Sequence, residues 1–392
     1  MAAQAADWKT ATMICAEAVA PVEGPALGVV YGTPDMAPHM AHVVEMLAAV
    51  TGITHWVGGI GAGVCGAGQE FHDGYALSIL VVTLPEKDWT FLPSLRQPED
   101  TADAIPESWV FTARPLIALV HGDPRNSAVT DMVSLLPETL DGYLIGGLIS
   151  PPSGHGSMNS GQVVGTIAPA ASDEPNRTTA SRAITGGGLS GVLFGASVPI
   201  SVGLSQGCMP LGKPHLITSM EDDWVMGLDG RPALDVLAED VGPLPEEGFS
   251  ALSGVVHGAI PVEGSDTADY LVRSLVGLDP HEAALGIAAD LVEGDRLMFV
   301  RRDRTSAEAD LRAMIQRVLA RARGKPPRGA IYISCLARGE HLFGAENGEL
   351  DIVAQELGPV PLCGFFAGGE ISHNRLYTHT GVLMLFLSEE PR

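Results

Sequence analysis

Hydrophobic and polar positions along the chain fall into a recurring order. A short apolar strand leads into a segment of helical period. A second apolar strand ending in glycines follows, and then further apolar strand segments. The first occurrence runs Ala26–Tyr31, a helix over about Ala37–Val50, His55–Ile60 with glycine-rich chain behind it, and Tyr75–Leu84. The second runs Pro115–His121, a helix over about Ala128–Leu136, Tyr143–Ser150 and Leu189–Val198. The third runs Gly329–Cys335, a helix over about Glu349–Leu357, Val360–Phe366 followed by Gly368 and Gly369, and Gly381–Leu387.

The helices have local support. Met40, Val43, Val44 and Leu47 fall on one helical face, and Gly52 follows as a stop. The clearest helix is Thr305–Arg323. Thr305 and Glu308 form a capping-box pattern, and Leu311, Met314, Ile315, Val318 and Leu319 make an apolar stripe. Arginines at its C-terminal end complement the helix dipole, and Gly324, Pro326 and Pro327 end it.

Strand–helix–strand units of this length predict parallel pairing with right-handed crossovers, while Thr380–Leu387 can return antiparallel. The expected class is α/β: layered mixed β-sheets with helices outside, in two halves built from the recurring unit. An acidic stretch containing Pro and Gly, Ser219–Ser253, marks the seam, with a short helix over Gly230–Glu239 inside it. The halves are then residues 20–225 and 226–390. Pro85–Ser108 and Ala171–Ala183 read as excursions or mobile loops.

Length changes this picture little: 392 residues suit two domains, or one large domain with internal pseudo-symmetry. Charge changes it more. A net charge of −24 argues against nucleic acid, whose phosphates require clustered Lys and Arg, and against anionic membranes. The basic residues gather only over Arg301–Arg328, where they read as one face and the end of the helix. Gly186–Gly212 is long and uncharged, but Val198–Leu204 alternates with the period of a half-buried strand rather than a membrane span. The N-terminus has no basic region followed by an apolar run, so a cytoplasmic protein is expected. Cys15, Cys65, Cys208, Cys335 and Cys363 form no C-x-x-C pair, which fits reduced thiols.

Candidate chemistry is sparse. Gly58–Gly66 contains a G-x-G-x-x-G, yet more glycine and a strand follow it, not a helix, so glycines lining a cavity or close backbone packing suit it better than a dinucleotide. His39 and His42 lie three apart on a helix with no further ligands nearby, and no metal is expected there. Cys335 ends a strand where Arg338 could lower its pKa, and His341 or His373 could serve as a base. Cys208, in Gln206–Gly212, is the other thiol to consider. The plain alternative for both is a small buried hydrophobe. Phe365, Phe366, Ala367, Gly368, Gly369 and Glu370 make the most distinctive segment: two rings, two glycines, then a carboxylate at a strand end. Arg338 and Glu370 both fall beyond the C-terminal ends of parallel strands, where open α/β sheets bind ligands. They could hold the charged ends of an amino acid or similar metabolite, or pair with each other.

These segments carry a resemblance. Ile333-Ser334-Cys335 with Arg338-Gly339, then Leu357-Gly358, Val360 to Phe366, Gly368 to Ile371, and Thr380 to Leu383 resemble the C-terminal half of FIST proteins. Tyr270 to Arg273 and Glu293 to Asp295 resemble earlier parts of that half. Gln206 to Gly212, with Gly230 to Leu234 after it, is similar to the junction from the N-terminal half. The resemblance implies a sensory protein of signal transduction that binds a small ligand, amino acids among the candidates; the residues expected here to bind it are Cys335, Arg338, Gly339, Phe365, Phe366, Gly368, Gly369, Glu370, Gln206 and Cys208. It implies output through a separate protein such as a histidine kinase. One branch of the family binds haem and senses nitric oxide. His373 and His379 are candidate haem ligands by position only, and no other cofactor is expected. A cysteine-dependent enzyme is the remaining alternative.

Overall fold

The computed structural model describes residues 1–101, 104–150, 161–167, 179–242, 249–262, 270–344 and 347–389. It is an α/β protein with mixed sheets, and the chain divides into two compact units. One holds Met1–Ser205 together with Arg312–Arg392, the other Gln206–Leu311. The spatial division thus differs from the linear one, because the third copy of the recurring unit folds with the first two.

Each copy supplies the centre of one sheet in the larger unit. A lead strand pairs in parallel with a partner strand across a helix, and antiparallel with a return strand on its other side. The lead, partner and return strands are Ala26–Gly32, His55–Ile60 and Tyr75–Thr83 in the first copy. They are Pro115–Gly122, Tyr143–Leu148 and Leu189–Gly195 in the second. In the third they are Pro327–Cys335, Leu362–Ala367 and Gly381–Leu387. The crossover helices are Met40–Thr51, Val129–Leu140 and Gly348–Leu357.

What binds the copies together is a cyclic exchange of the strand that follows each partner strand. Gly63–Gly66 leaves the first copy and pairs with the partner strand of the third. Gln162–Thr166 leaves the second for the first. Glu370–His373 leaves the third for the second. The exchange closes on itself, so every partner strand is covered and none presents an open edge.

The same backbone approach recurs in all three parallel pairs. A Cβ added at Gly58, Gly146 or Gly364 would land on the carbonyl oxygen of Val30, Val120 or Tyr332, respectively. Alternate residues of the lead strands face opposite ways, as pleating requires. Val30 and Val120 face the helix layers of their own copies. Leu27, Val29, Tyr31, Ile117, Leu119, Ile331 and Ile333 instead face one core shared by the three sheets. Each such side chain, fully buried, contributes about 1.5–3 kcal/mol, so the shared core is what closes the unit.

Several local expectations differ from the structure. Within Pro85–Ser108 the chain forms a strand, Trp89–Leu95, which extends the second sheet beyond its return strand because its apolar residues pack on that sheet. Of Ala171–Ala183, residues 171–178 lie outside the described residues, and Thr179–Ala183 is a short helix. The long helix spans Arg304–Arg321, and its cap is Asp303 rather than Thr305, with Asp303 Oδ1 accepting the Ser306 N–H at 2.8 Å. Glu308 pairs instead with Arg304. The expected helix near Gly230 is Ala233–Val241. Trp8 stacks on His39 at 5.2 Å, and the described residues hold no group of His, Cys, Asp and Glu suited to a metal.

The smaller unit is antiparallel. Arg296–Arg301, His215–Glu221, Trp224–Leu228, Ala284–Ile287, Tyr270–Asp279 and Val256–Pro261 pair in turn, and the last pairs back to the first to close a ring. Ile217, Val225, Leu228, Leu285 and Phe299 form its core with the helix Ala233–Val241.

Candidate functional site

The exchange brings three cross-strand rows to the centre of the larger unit. Paired residues run Gln162, Gly59, Tyr31, Ser78 across the first sheet and Glu370, Gly147, His121, Ser190 across the second. Across the third they run Val64, Phe365, Ile333, Val382. Residues paired across strands share a face, so two rows line the centre with polar groups and the third with apolar ones. Phe365 fills the middle. Its ring lies 4.6 Å from that of Tyr31 and 6.0 Å from that of His121, and it occupies the space over Gly147.

In the third copy, Glu370 heads its exchange strand and is fully buried. Its Oε2 accepts the Thr380 N–H at 3.1 Å and the Thr380 hydroxyl at 2.8 Å. Its Oε1 accepts no N–H or O–H among the described residues. Burial pushes the carboxyl up to about 8, against the opposing pull of the Thr380 bonds and the Arg338 charge. The Cys335 thiol faces the same carboxyl and accepts the His379 N–H at 3.2 Å. Burial and the neighbouring Glu370 charge raise that thiol to about 11. Arg338 pulls the thiol down, as expected, but burial and Glu370 outweigh it.

Arg338 is occupied elsewhere. It is completely buried, and its Nε donates to Glu349 Oε1 at 2.6 Å. Its Nη1 donates to the His379 carbonyl at 3.3 Å and its Nη2 to Ser205 Oγ at 3.3 Å. Glu349 also accepts the Tyr332 hydroxyl at 2.6 Å and the Ser334 hydroxyl at 2.7 Å. A desolvated ion pair needs this many hydrogen bonds to persist. The carboxylate that pairs with Arg338 is thus Glu349, not Glu370, and the guanidinium supports the strand ends from within the fold.

The second copy carries an equivalent niche. Asp123 takes the place of Cys335, accepting the Gly187 N–H at 2.7 Å and the Arg125 guanidinium at 2.6 Å. Gln162 takes the place of Glu370, and its Nε2 donates to the carbonyls of His121 at 2.5 Å and Gly188 at 3.0 Å. The Tyr31 hydroxyl meets His121 Nε2 at 2.9 Å. Burial holds the imidazole down to about 3, so it is neutral.

The remaining sequence candidates sit as follows. Phe366 is buried, and its carbonyl accepts the Ala62 N–H at 2.8 Å. The Gly369 carbonyl accepts the Leu148 N–H at 2.8 Å, joining the third copy to the second, while Gly368 meets open space. Gly339, at φ +56°, opens the short helix behind Arg338. Gln206 and Cys208 belong to the smaller unit, where Gln206 donates to the Tyr270 carbonyl at 2.6 Å and Cys208 packs on Ala259 and Val272. His373 is exposed beside Tyr143, and His379 contributes its backbone to the Arg338 and Cys335 contacts.

The sequence matches a known protein family. The FIST N domain matches residues 26–231 and the FIST C domain residues 233–373. The chain belongs to the FIST family. FIST domains are associated with sensing in signal transduction. This FIST chain is similar to Uncharacterized protein Rv0628c of Mycobacterium tuberculosis, at 29% identity over 93% of the chain and 91% of the relative. It is also similar to Uncharacterized protein Mb0898c of Mycobacterium bovis, at 33% identity over 47% of the chain and 50% of the relative. Among the described residues, no helix is long and apolar enough to cross a membrane.

Proposed function

We propose that this FIST protein is a cytoplasmic receptor for a small ligand carrying an amino group, an amino acid or related metabolite, that signals through a separate protein such as a histidine kinase. The observation that carries the reading is Glu370: fully buried, held protonated near neutral pH, with one oxygen taking no N–H or O–H hydrogen bond among the described residues. An ammonium group brought against that oxygen supplies the missing donor and favours the ionised carboxylate. Binding and proton release are then one event, and the Thr380 and Cys335 contacts on the same group pass the change to the strand ends. Cys335, with its thiol held protonated, acts as a binding group and not as a nucleophile.

A haem reading finds less support. Among the described residues of the larger unit, one groove of about 670 Å³ is lined by residues such as Ile105, Phe111 and Leu140, and another of about 250 Å³ by Leu350, Val353 and Leu362. No histidine lines either groove, so their residues do not fit an axially ligated haem.

Calorimetric titration with amino acids and amines, at pH 6.5 in buffers of differing ionisation enthalpy, tests the proposal. A binding ligand should release close to one proton, and Glu370→Gln should weaken binding and abolish the release. Binding of the same strength and proton count in Glu370→Gln would remove Glu370 from the site.

A further inference from the structure

The niche of the second copy holds more polar atoms without partners than the fold explains. His121, Gln162 and Ser190 are all fully buried. Among the described residues, His121 Nδ1, Gln162 Oε1 and Ser190 Oγ have no hydrogen-bond partner. Each such group costs about 1–3 kcal/mol when left unmet, and three together rival the net stability of a domain.

The pseudo-symmetry says that the scaffold does not demand them. At the position of Ser190, the first copy has Ser78, whose hydroxyl is met by the Cys65 carbonyl at 2.8 Å, and the third has Val382. At the position of His121 the third copy has Ile333, and at the position of Gln162 the first has Val64. Apolar residues therefore satisfy the same backbone frame elsewhere.

The atoms also have a definite polarity. Among the described residues the Tyr31 hydroxyl has no other acceptor than His121 Nε2, and donating to it puts the imidazole hydrogen on Nδ1. Gln162 has both close contacts on Nε2, so Oε1 is its open acceptor. Two donors, His121 Nδ1–H and the Ser190 hydroxyl, stand with one acceptor and no formal charge on any of the three. A carboxylate would lack the hydrogen that Gln162 Oε1 needs, and an ammonium would meet the two donors badly.

We propose that His121, Ser190 and Gln162 form a second site, independent of the Glu370 niche, that binds a primary carboxamide. Its carbonyl oxygen accepts from His121 Nδ1–H and the Ser190 hydroxyl, and its NH₂ donates to Gln162 Oε1.

The probe is acetamide, with acetate as the control, applied to the full chain in thermal-shift titrations and in crystal soaks. Acetamide should give a saturable rise in melting temperature that acetate does not, with a molecule seated on the three side chains. Ser190→Ala, which removes one atom from a strand position, should raise its dissociation constant at least tenfold, and Gln162→Leu should do the same. A shift no larger than that with acetate, an unchanged dissociation constant in a folded Ser190→Ala protein, or a soaked crystal with only water between the three side chains would each overturn the assignment.

Discussion

The second and third copies build the same niche on the same backbone and fill it with opposite chemistry. In both, a backbone N–H from the loop before the return strand reaches a residue at the C-terminal end of the lead strand, Asp123 just past it from Gly187 and Cys335 within it from His379. In both, the first residue of the exchange strand folds back over its own copy. There it is Gln162, which donates to carbonyls, or Glu370, which accepts from Thr380. The ion pairs differ in depth. Arg338 and Glu349 are both sealed inside, whereas the Arg125 side chain is 23% exposed while Asp123 is buried. The difference teaches that strand exchange fixes a geometry and leaves the electrostatics of each copy free to diverge.

The comparison breaks most readily at the ion pairs. Glu349→Ala leaves Arg338 buried without its countercharge and should cost about 3–5 kcal/mol in urea unfolding. Arg125→Ala opens a pair already in contact with solvent and leaves Asp123 with the Gly187 and Arg125 backbone N–H groups, so it should cost about 1 kcal/mol. Equal losses would mean that the two niches are not differently built.

A second effect lies in the pH dependence, where the niches have opposite signs. Glu370 is raised in the fold to about 8 from 4.5, so the folded state binds a proton that the unfolded state has lost. Its contribution is present below pH 4.5 and falls away as pH rises toward 8. His121 is lowered to about 3 from 6.5, so its contribution is present above pH 6.5 and is lost as pH falls toward 3. Glu370→Gln should therefore flatten the alkaline side of the stability profile, and His121→Phe the acid side, each by an amount on the order of a few kcal/mol. Melting curves from pH 4 to 9 would show it; an alkaline limb unchanged in Glu370→Gln would mean that this carboxyl is not the titrating group.

The smallest effect separates the serines. Ser78→Ala removes a made hydrogen bond to the Cys65 carbonyl and should cost about 1 kcal/mol. Ser190→Ala in buffer without carboxamide removes an unmet hydroxyl and should instead raise stability by about 1 kcal/mol. Chemical denaturation of both resolves the difference.

Much of the frame is legible in the sequence. The three copies, with helices near Ala37, Ala128 and Glu349, stand close to their places because apolar periodicity is a local property. Phe365, Phe366 and Glu370 stand out as a strand end, and the structure buries all three. The exchange strands escape notice. Gly63–Gly66, Gln162–Thr166 and Glu370–His373 are short, and each finds its partner in another copy. Glu349 at the start of a helix reads as an ordinary dipole-favoured acid, and nothing nearby shows that Tyr332, Ser334 and Arg338 converge on it. His121 and Ser190 look like strand residues, and Gln162 follows a polar stretch. The one signal that was present is the repeated glycine in the partner strands at Gly58, Gly146 and Gly364, which marks where the copies superpose.

The sequence by itself determined the α/β class, the recurring strand–helix–strand unit and the FIST resemblance, since propensity, period and motif act over short stretches of chain. Only the tertiary structure decided which copies share a core, which carboxylate holds Arg338, and which buried polar atoms are left with nothing to bind. Those outcomes depend on desolvation and on hydrogen bonds between residues far apart in the chain, such as Ser205 with Arg338 and Gln162 with Gly188.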